Sequence, residues 1–450
     1  EGYKSPVSPV RYPDSTSPTV MTKRAWWLVA LNFFIPGSAQ LLAGQRRLGK
    51  VGVTATFVLW GAAAVSLLLL WLWPVALYTI AASPVTLFAV QWLLLGYGLL
   101  WLLLTLDTLR LVRLVKVRPG ARAAIAIVAI AGLVAVGGVA GYGSTVAGAA
   151  RSAITAVFDA GGTEPAVDGR YNMLLLGGDA GPDREGLRPD SISVASIDAN
   201  TGATVIIGIP RNMEEVRFVD GSPLYQLFPN GYDCGDECLI SYLYTEAENN
   251  PELYPDAEQN GSNPGIEAMR DAAEGVTGLT LQYYVLIDMQ GFADLIDALG
   301  GITVTVPEDT PLGAAEPGAE PFDVVKAGEQ HMNGFTALWY SRTRYESTDY
   351  ARMSRQRDVQ EAILRQFNPA NVLSKFEAVA RAGSQVVATD IPSTMLGFFV
   401  DLAGKSRKLP VTRLDLVPDR FDPAYPDYAL ISQAIVEALA ASSPTPTPTP

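Results

Sequence analysis

Histidine, cysteine and, over long stretches, charged residues are scarce in this sequence of 450 residues. A single histidine excludes a metal centre built from several histidines of one chain. Two cysteines exclude a disulfide-rich scaffold and a four-cysteine zinc ribbon. No Asp, Glu, Lys or Arg occurs from Val51 to Leu106 or from Ala123 to Ala150. The chain is therefore not a single soluble domain of average composition.

The charge that is present is divided unequally along the chain. Residues 1–150 contain 12 Lys/Arg and 3 Asp/Glu, a net charge of +9, whereas residues 151–450 contain 21 and 43, a net charge of −22. Because the larger part is acidic, a nucleic-acid binder that works through overall basic charge is excluded.

The uncharged runs predict membrane-spanning helices, since about 20 apolar residues cross the hydrocarbon core of a bilayer. We predict three such helices, at about 51–73, 84–106 and 123–143. An earlier apolar stretch within residues 21–50 is interrupted at Pro36-Gly37. It predicts a re-entrant segment or a weak span; a signal peptide is the alternative interpretation of that stretch.

The basic residues of the first region predict its orientation. They precede the first predicted span or lie between the second and third, and such residues stay in the cytoplasm. We therefore predict a multi-pass protein of the cell membrane whose C-terminal domain, 169–441, lies outside the cytoplasm. Residues 144–168 would be a linker, 1–20 a disordered polar N-terminus and 442–450 a Pro-Thr tail.

The acidic region shows alternating strand and helix patterns. Residues 191–197 and 204–209 are β-branched runs joined by a turn sequence, which predicts an antiparallel hairpin. The other predicted strands lie at 172–176, 283–287, 302–306 and 338–341. The predicted helices lie at 264–274, 292–299, 352–367, 371–382, 393–403 and 428–440. This mixture indicates one α/β domain with a layered α-β-α arrangement.

The predicted hairpin brings charged residues together. Asp190 and Arg211 lie at the same end of it, Asp179 follows the strand before it, and the connecting loop contains Arg188. We expect these two acids and two arginines to share one edge of the sheet.

A second group of arginines lies between residues 342 and 357. Arg342 and Arg344 are two residues apart on or just past a strand, so they would point the same way. Arg352 and Gln356 are four apart on a helix and share a face. Because arginine binds phosphate with two parallel hydrogen bonds, the group indicates a pyrophosphate site, with the acids holding a divalent cation.

Each of these residues also has an ordinary structural interpretation. The two aspartates could cap turns, and Arg342 and Arg344 could form a solvated strand face. Arg352 and Arg355 could be paired with Asp349 and Asp358.

Two further features stand apart from this group. Cys234 and Cys238, in the predicted oxidising compartment, favour a disulfide within one loop. His331 is interpreted as a loop residue rather than a catalyst.

Six segments between Asn172 and about Phe367 together resemble the LytR-CpsA-Psr (LCP) family of cell-wall enzymes. In order they are NMLLLGGDA, LRPDSISVASID, VIIGIPRN, YYVLIDMQGFADLIDALGGITVTVP, AGEQHMNGFTALWYSRTR and DYARMSRQRDVQEAI. The resemblance implies an enzyme that moves a glycopolymer from a polyprenyl-pyrophosphate carrier in the lipid bilayer to peptidoglycan, with Mg²⁺. Hydrolysis of polyprenyl pyrophosphate and non-catalytic sensing of the lipid carrier are the alternative functions.

The resemblance also implies roles for individual residues. Asp179 and Asp190 would hold the metal and, with Arg211 and Arg344, act in catalysis. The pyrophosphate-binding set would be Arg188, Arg211, Arg342, Arg344, Arg352 and Gln356. Two positions depart from the family pattern: Asn212 replaces an aspartate, which puts a charge role there in doubt, and Pro189 replaces a serine.

Overall fold

The computed structural model describes residues 10–11, 13–43, 45–158, 162–179, 188–313, 320–345, 347–366 and 387–442. The chain divides into two compact units, Glu1–Arg151 and Ser152–Pro450. The predicted helix at 371–382 and the tail at 443–450 lie outside the described residues.

The first unit is entirely helical in its described residues. Its helices are α1 (Pro18–Phe34), α2 (Ser38–Ala43), α3 (Arg46–Leu72), α4 (Pro74–Ala82), α5 (Pro84–Val112) and α6 (Pro119–Val157), the last of which runs into the second unit. Among the described residues, three helices are long and apolar enough to cross a membrane, at Arg46–Leu72, Pro84–Lys116 and Pro119–Ser152. The second and third predicted spans fall within the corresponding helices, and the first extends one residue past Leu72.

The interrupted apolar segment forms two helices that turn at Pro36-Gly37. Gly37 has φ +95°, and a Cβ atom there would lie 2.7 Å from the carbonyl oxygen of Gly49. Only glycine fits this conformation and this approach without strain, so α2 can pack against the start of α3. The helix break predicted at this dipeptide is confirmed.

Helices α1 to α6 differ from the sequence-based predictions at three places. The uncharged connection between the first two predicted spans is the helix α4 rather than a simple turn, because Pro74 and Pro84 each begin a helix. Residues 144–157 continue α6, where a linker was expected. Helix α1 begins at Pro18, within the stretch predicted to be disordered.

The second unit is built on a mixed six-stranded sheet, which confirms the predicted α/β class. Its strands, in chain order, are β1 (Arg170–Asp179), β2 (Arg188–Asp198), β3 (Thr204–Ile209), β4 (Tyr283–Asp288), β9 (Val387–Thr389) and β10 (Thr412–Asp415). Their order across the sheet is β10-β3-β2-β1-β4-β9. The predicted antiparallel hairpin is confirmed as β2 and β3, whereas β1 and β4 are parallel.

The main hydrophobic core lies on one face of this sheet. Leu174, Val194 and Ile207, from the three central strands, are fully buried. They pack with apolar residues of α7 (Leu243–Asn249), α8 (Pro264–Thr277) and α13 (Tyr428–Ser442). Each large apolar side chain buried in this way contributes about 1.5–3 kcal/mol. The opposite face carries Tyr171 and Tyr283, which contact Phe399 of α12 (Leu396–Ser406).

A second core joins the remaining elements of this unit. These are α9 (Met289–Leu299), β5 (Ile302–Val306), β6 (Thr310–Leu312), β7 (Asp323–Val325), β8 (Gly328–Met332), α10 (Gly334–Arg342) and α11 (Asp349–Gln366). Strand β5 pairs with β8 and strand β6 with β7, outside the main sheet. The strand predicted at 338–341 is wrong. The Asn333 side chain caps the helix α10 by accepting a hydrogen bond from the Thr336 amide at 2.8 Å.

A close backbone approach in the main core gives a test of this packing. A Cβ atom at Gly275 of α8 would lie 2.2 Å from the carbonyl oxygen of Arg217. Helix propensity alone predicts that Gly275→Ala stabilises the protein by up to about 1 kcal/mol. We expect instead a loss of about 1–3 kcal/mol from overpacking, measured by urea unfolding of the purified chain. Gly162→Ala is the control, because nothing lies within 4 Å of its Cβ position. Equal stability of the two variants would contradict the packing described.

Candidate functional site

The ends of strands β1 and β2 form one edge of the candidate site. Asp179 is paired with Arg188 across the two strands, and a bulge between Gly177 and Gly178 shifts the register just before them. Asp190 lies two residues further along β2. The backbone thus brings the three positions to one end of the sheet. The side chains of Asp179 and Arg188 lie outside the described part of the structure.

Arg211 reaches this edge from the end of β3. Its Nη1 donates a hydrogen bond to Oδ1 of Asp190. The side chains of Arg211 and Asp190 are 30% and 26% exposed, so both remain accessible to a ligand. The contact confirms that the hairpin places these two residues together.

Asp349, at the start of α11, lies among three arginines. Its carboxylate oxygens are 3.5 Å from Nε of Arg211, 3.7 Å from Nε of Arg344 and 3.1 Å from Nη2 of Arg352. The sequence suggests an ion pair between Asp349 and Arg352, and this pair is confirmed. The contact of Asp349 with Arg211 depends on long-range folding that a sequence pattern does not show.

Arg352 is the most buried member of the group, with a side chain 3% exposed. Its Nη2 also donates to the backbone oxygen of Asp190 at 3.2 Å, while its Nε is buried without a hydrogen-bond acceptor among the described residues. Burial lowers the pKa of Arg352 to about 10, and the nearby Asp349 and Asp190 oppose that shift. The guanidinium is therefore charged at neutral pH.

Two amide side chains border the arginines. Nε2 of Gln356 lies 3.4 Å from the backbone oxygen of Ser341, and Nδ2 of Asn212 lies 3.5 Å from the hydroxyl of Tyr350. The amide oxygen of each is buried without a donor among the described residues. Since buried polar atoms without partners are costly, these two acceptor oxygens would be stabilised by a ligand group that donates a hydrogen bond.

The arginine-rich segment makes further contacts besides those with Asp349. Arg342 ends α10, and its guanidinium carbon lies 5.6 Å from the ring centroid of Trp339. Because Arg342 and Arg344 lie at and just past the end of a helix, the strand geometry from which they were expected to point the same way is not present there.

The two remaining arginines of that segment have structural contacts. Arg355 donates to the backbone oxygen of Tyr340 at 2.9 Å, while Asp358 pairs with Arg413 at 2.7 Å, so the suggested pair of Arg355 with Asp358 is wrong. Arg357 is fully buried, 3.4 Å from Asp415.

His331 is exposed on β8, where its Nδ1 lies 3.3 Å from the Thr303 hydroxyl. The loop interpretation is therefore corrected to a strand.

The predicted disulfide is present between Cys234 and Cys238. The segment after it is hydrogen-bonded to the segment that carries Arg211. The Ser241 amide donates to the Arg211 carbonyl at 3.2 Å, and the Ile240 amide donates to the Met213 carbonyl at 2.9 Å. The disulfide loop thus restrains the backbone of a site residue, which the sequence spacing did not reveal.

A model of the LytR_cpsA_psr family matches residues 144–420, which is more than half of the chain. The chain belongs to this family. The assignment confirms the resemblance found in the sequence.

The chain is also similar to curated relatives and to a solved structure. Biofilm regulatory protein A of Streptococcus mutans is 27% identical over 49% of this chain and 50% of its own length. The polyisoprenyl-teichoic acid–peptidoglycan teichoic acid transferase TagV of Bacillus subtilis is 30% identical over 46% of each chain. The chain therefore spans about half the length of these curated relatives. The crystal structure of B. subtilis TagV aligns with 62% of this chain and all of its own, at 21% identity and a TM-score of 0.44.

The arginine group predicts selective binding of a pyrophosphate. We expect Arg352→Ala to weaken the binding of inorganic pyrophosphate to this LCP protein by about 10- to 100-fold. The buried Arg352 holds Asp349 and the Asp190 backbone in place, and each charge-assisted hydrogen bond of this kind contributes about 1.5–3 kcal/mol. Isothermal titration calorimetry measures the affinity. Arg365→Ala is a matched control on the same helix, since Arg365 is 56% exposed and pairs with Glu361. Equal affinities in both variants would contradict the site.

The disulfide loop gives a second test. We expect the double variant Cys234→Ser/Cys238→Ser to bind pyrophosphate several-fold more weakly while its unfolding remains cooperative, because the backbone of Arg211 loses its restraint. Reduction of the native chain with a phosphine should have the same effect in the same titration and leave the double variant unchanged. Unaltered binding after complete reduction would show that the loop does not position Arg211.

Proposed function

We propose that this LCP protein is a membrane-anchored phosphotransferase that moves a glycopolymer from a polyprenyl-pyrophosphate carrier to peptidoglycan. The observation that carries the proposal is the group formed by Arg211, Arg344 and Arg352 around Asp349 and Asp190. Three guanidiniums and two carboxylates leave an excess of positive charge inside a strongly acidic domain. The name of the B. subtilis relative, a teichoic acid transferase, supports the same reaction class.

The proposed reaction exchanges one phosphorus–oxygen bond for another. A hydroxyl oxygen of the acceptor glycan attacks the phosphorus that carries the polymer, and the bond from that phosphorus to the bridging oxygen breaks. The hydroxyl proton passes to a base, and polyprenyl phosphate leaves. Negative charge grows on the leaving phosphate, where arginine hydrogen bonds are strongest. Arg211 and Arg344, which are accessible, would contact the pyrophosphate directly, and the buried Arg352 would hold Asp190 and Asp349 in place.

The arrangement also fits a divalent cation. The strand register brings Asp179 and Asp190 to the same end of the sheet. Mg²⁺ is commonly held by one or two carboxylates together with substrate phosphates, so a group of three acids is not required. In the proposal, these two aspartates hold Mg²⁺, which neutralises charge on the phosphate oxygens when bound.

The membrane part of the proposal rests on the first unit. Its three long apolar helices would anchor the chain in the bilayer that contains the lipid carrier. The basic residues between them favour an orientation in which the second unit lies outside the cytoplasm. Anchoring raises the effective concentration of a membrane-bound substrate at the site.

A reconstituted transfer assay tests the proposed function. The full chain in lipid nanodiscs is incubated with a polyprenyl-pyrophosphate-linked oligosaccharide and Mg²⁺, with and without peptidoglycan, and products are separated by mass. We expect polymer-linked peptidoglycan and polyprenyl phosphate, and a loss of at least 100-fold in rate for Asp190→Ala and Arg344→Ala. Arg365→Ala should retain the native rate.

Three results would contradict the proposal. Release of free polymer phosphate at the same rate with and without peptidoglycan would indicate hydrolysis. Native rates in both site variants would exclude a catalytic role for this group. Tight binding of the carrier with no turnover would indicate a sensor of the lipid carrier.

A further inference from the structure

Three aromatic side chains form a surface cluster beside the candidate site, here called the aromatic platform: the exposed Phe322 and Phe335 and the partly buried Trp339. The ring centroids of Phe322 and Trp339 are 4.9 Å apart, those of Phe322 and Phe335 are 6.0 Å apart, and those of Phe335 and Trp339 are 6.3 Å apart. Phe322 is 53% exposed and Phe335 is 56% exposed. Exposed apolar patches of this kind on a folded domain mark binding surfaces.

The aromatic platform is continuous with the arginine group. Phe335 and Trp339 lie on α10, which ends at Arg342, and the Arg342 guanidinium carbon is 5.6 Å from the Trp339 ring centroid. Two residues later, Arg344 contacts Asp349. At a rise of about 1.5 Å per residue, Phe335 lies about 10 Å along the helix from Arg342. A ligand with phosphates at the arginines would extend over the platform within a short oligosaccharide length.

We propose that the aromatic platform binds the first sugars of the donor glycan, next to the pyrophosphate. This inference rests on the proposed function and extends it to the sugar part of the substrate. One face of a pyranose ring presents C–H groups with partial positive charge, which are attracted to the negative face of an aromatic ring. Because the sugars are covalently attached to the pyrophosphate, they must lie beside the arginines that bind it.

The charges around the platform favour a sugar over a membrane surface. Glu320 and Asp323 flank Phe322, and both are exposed. Their carboxylates can accept hydrogen bonds from sugar hydroxyls. The same carboxylates would be repelled by the anionic lipids of a bilayer. The platform therefore combines apolar stacking surfaces with hydrogen-bond acceptors, as a carbohydrate requires.

A steady-state comparison tests this inference. In the full chain, we expect Phe322→Ala/Phe335→Ala to raise the KM for a disaccharide-pyrophosphoryl prenyl donor about tenfold or more, on the scale of stacking on aromatic side chains. The affinity for geranyl pyrophosphate, which lacks sugar, and the KM for the peptidoglycan acceptor should not change. Val436→Ala is the matched control, because Val436 is an exposed apolar residue of α13.

Several outcomes would overturn the inference. An unchanged KM for the donor would show that the platform does not bind its sugars. Weaker binding of geranyl pyrophosphate would assign the rings to the pyrophosphate site itself, and a raised KM for peptidoglycan would assign them to the acceptor.

A spectroscopic test does not require turnover, so it separates this inference from the proposed function. Trp339 is the single tryptophan after residue 101, and its ¹⁹F signal in 5-fluorotryptophan-labelled chain is assigned by its loss in Trp339→Phe. In nanodiscs, we expect the disaccharide phosphate to shift this signal and spin-labelled lipid to leave it sharp. No shift with the sugar, or broadening by the lipid, would contradict binding of the donor glycan.

Discussion

The candidate site depends on the neutralisation of arginines that repel one another. Arg211 comes from a different part of the chain than Arg344 and Arg352, and all three contact the carboxylate of Asp349. Like charges at such distances disfavour folding unless opposite charges lie between them. Asp349 and Asp190 supply this charge but do not match it fully, so a surplus of positive charge remains for an anion.

Part of this arrangement could be predicted from the sequence, because it follows from local geometry. A turn between two β-branched runs placed Asp190 and Arg211 at one end of a hairpin, and that contact is present. The helical spacing that placed Arg352 and Gln356 together also agrees with α11. Uncharged runs likewise indicated where the long apolar helices lie.

The remaining features of the fold and of the candidate site depend on tertiary structure. Asp349 lies at the start of a helix, and its contacts with Arg344 and Arg352 are local in the sequence. Its contact with Arg211 arises only when α11 meets the end of β3. Residues 338–341 have apolar character typical of a strand, but the cap at Asn333 and the buried contacts of Ala337 and Tyr340 make them helical. The buried Arg357 shows that an arginine-rich segment also supplies structural ion pairs. The position of an arginine in the sequence therefore did not distinguish candidate site residues from structural ones.

The most direct measurement of the central claim is an experimental structure of the full chain in nanodiscs with a prenyl pyrophosphate and Mg²⁺. The account predicts density for the two phosphates in contact with Arg211 and Arg344, above Arg352, with the cation beside Asp190. Phosphates bound at a different surface, with Asp349 still holding all three arginines, would contradict it.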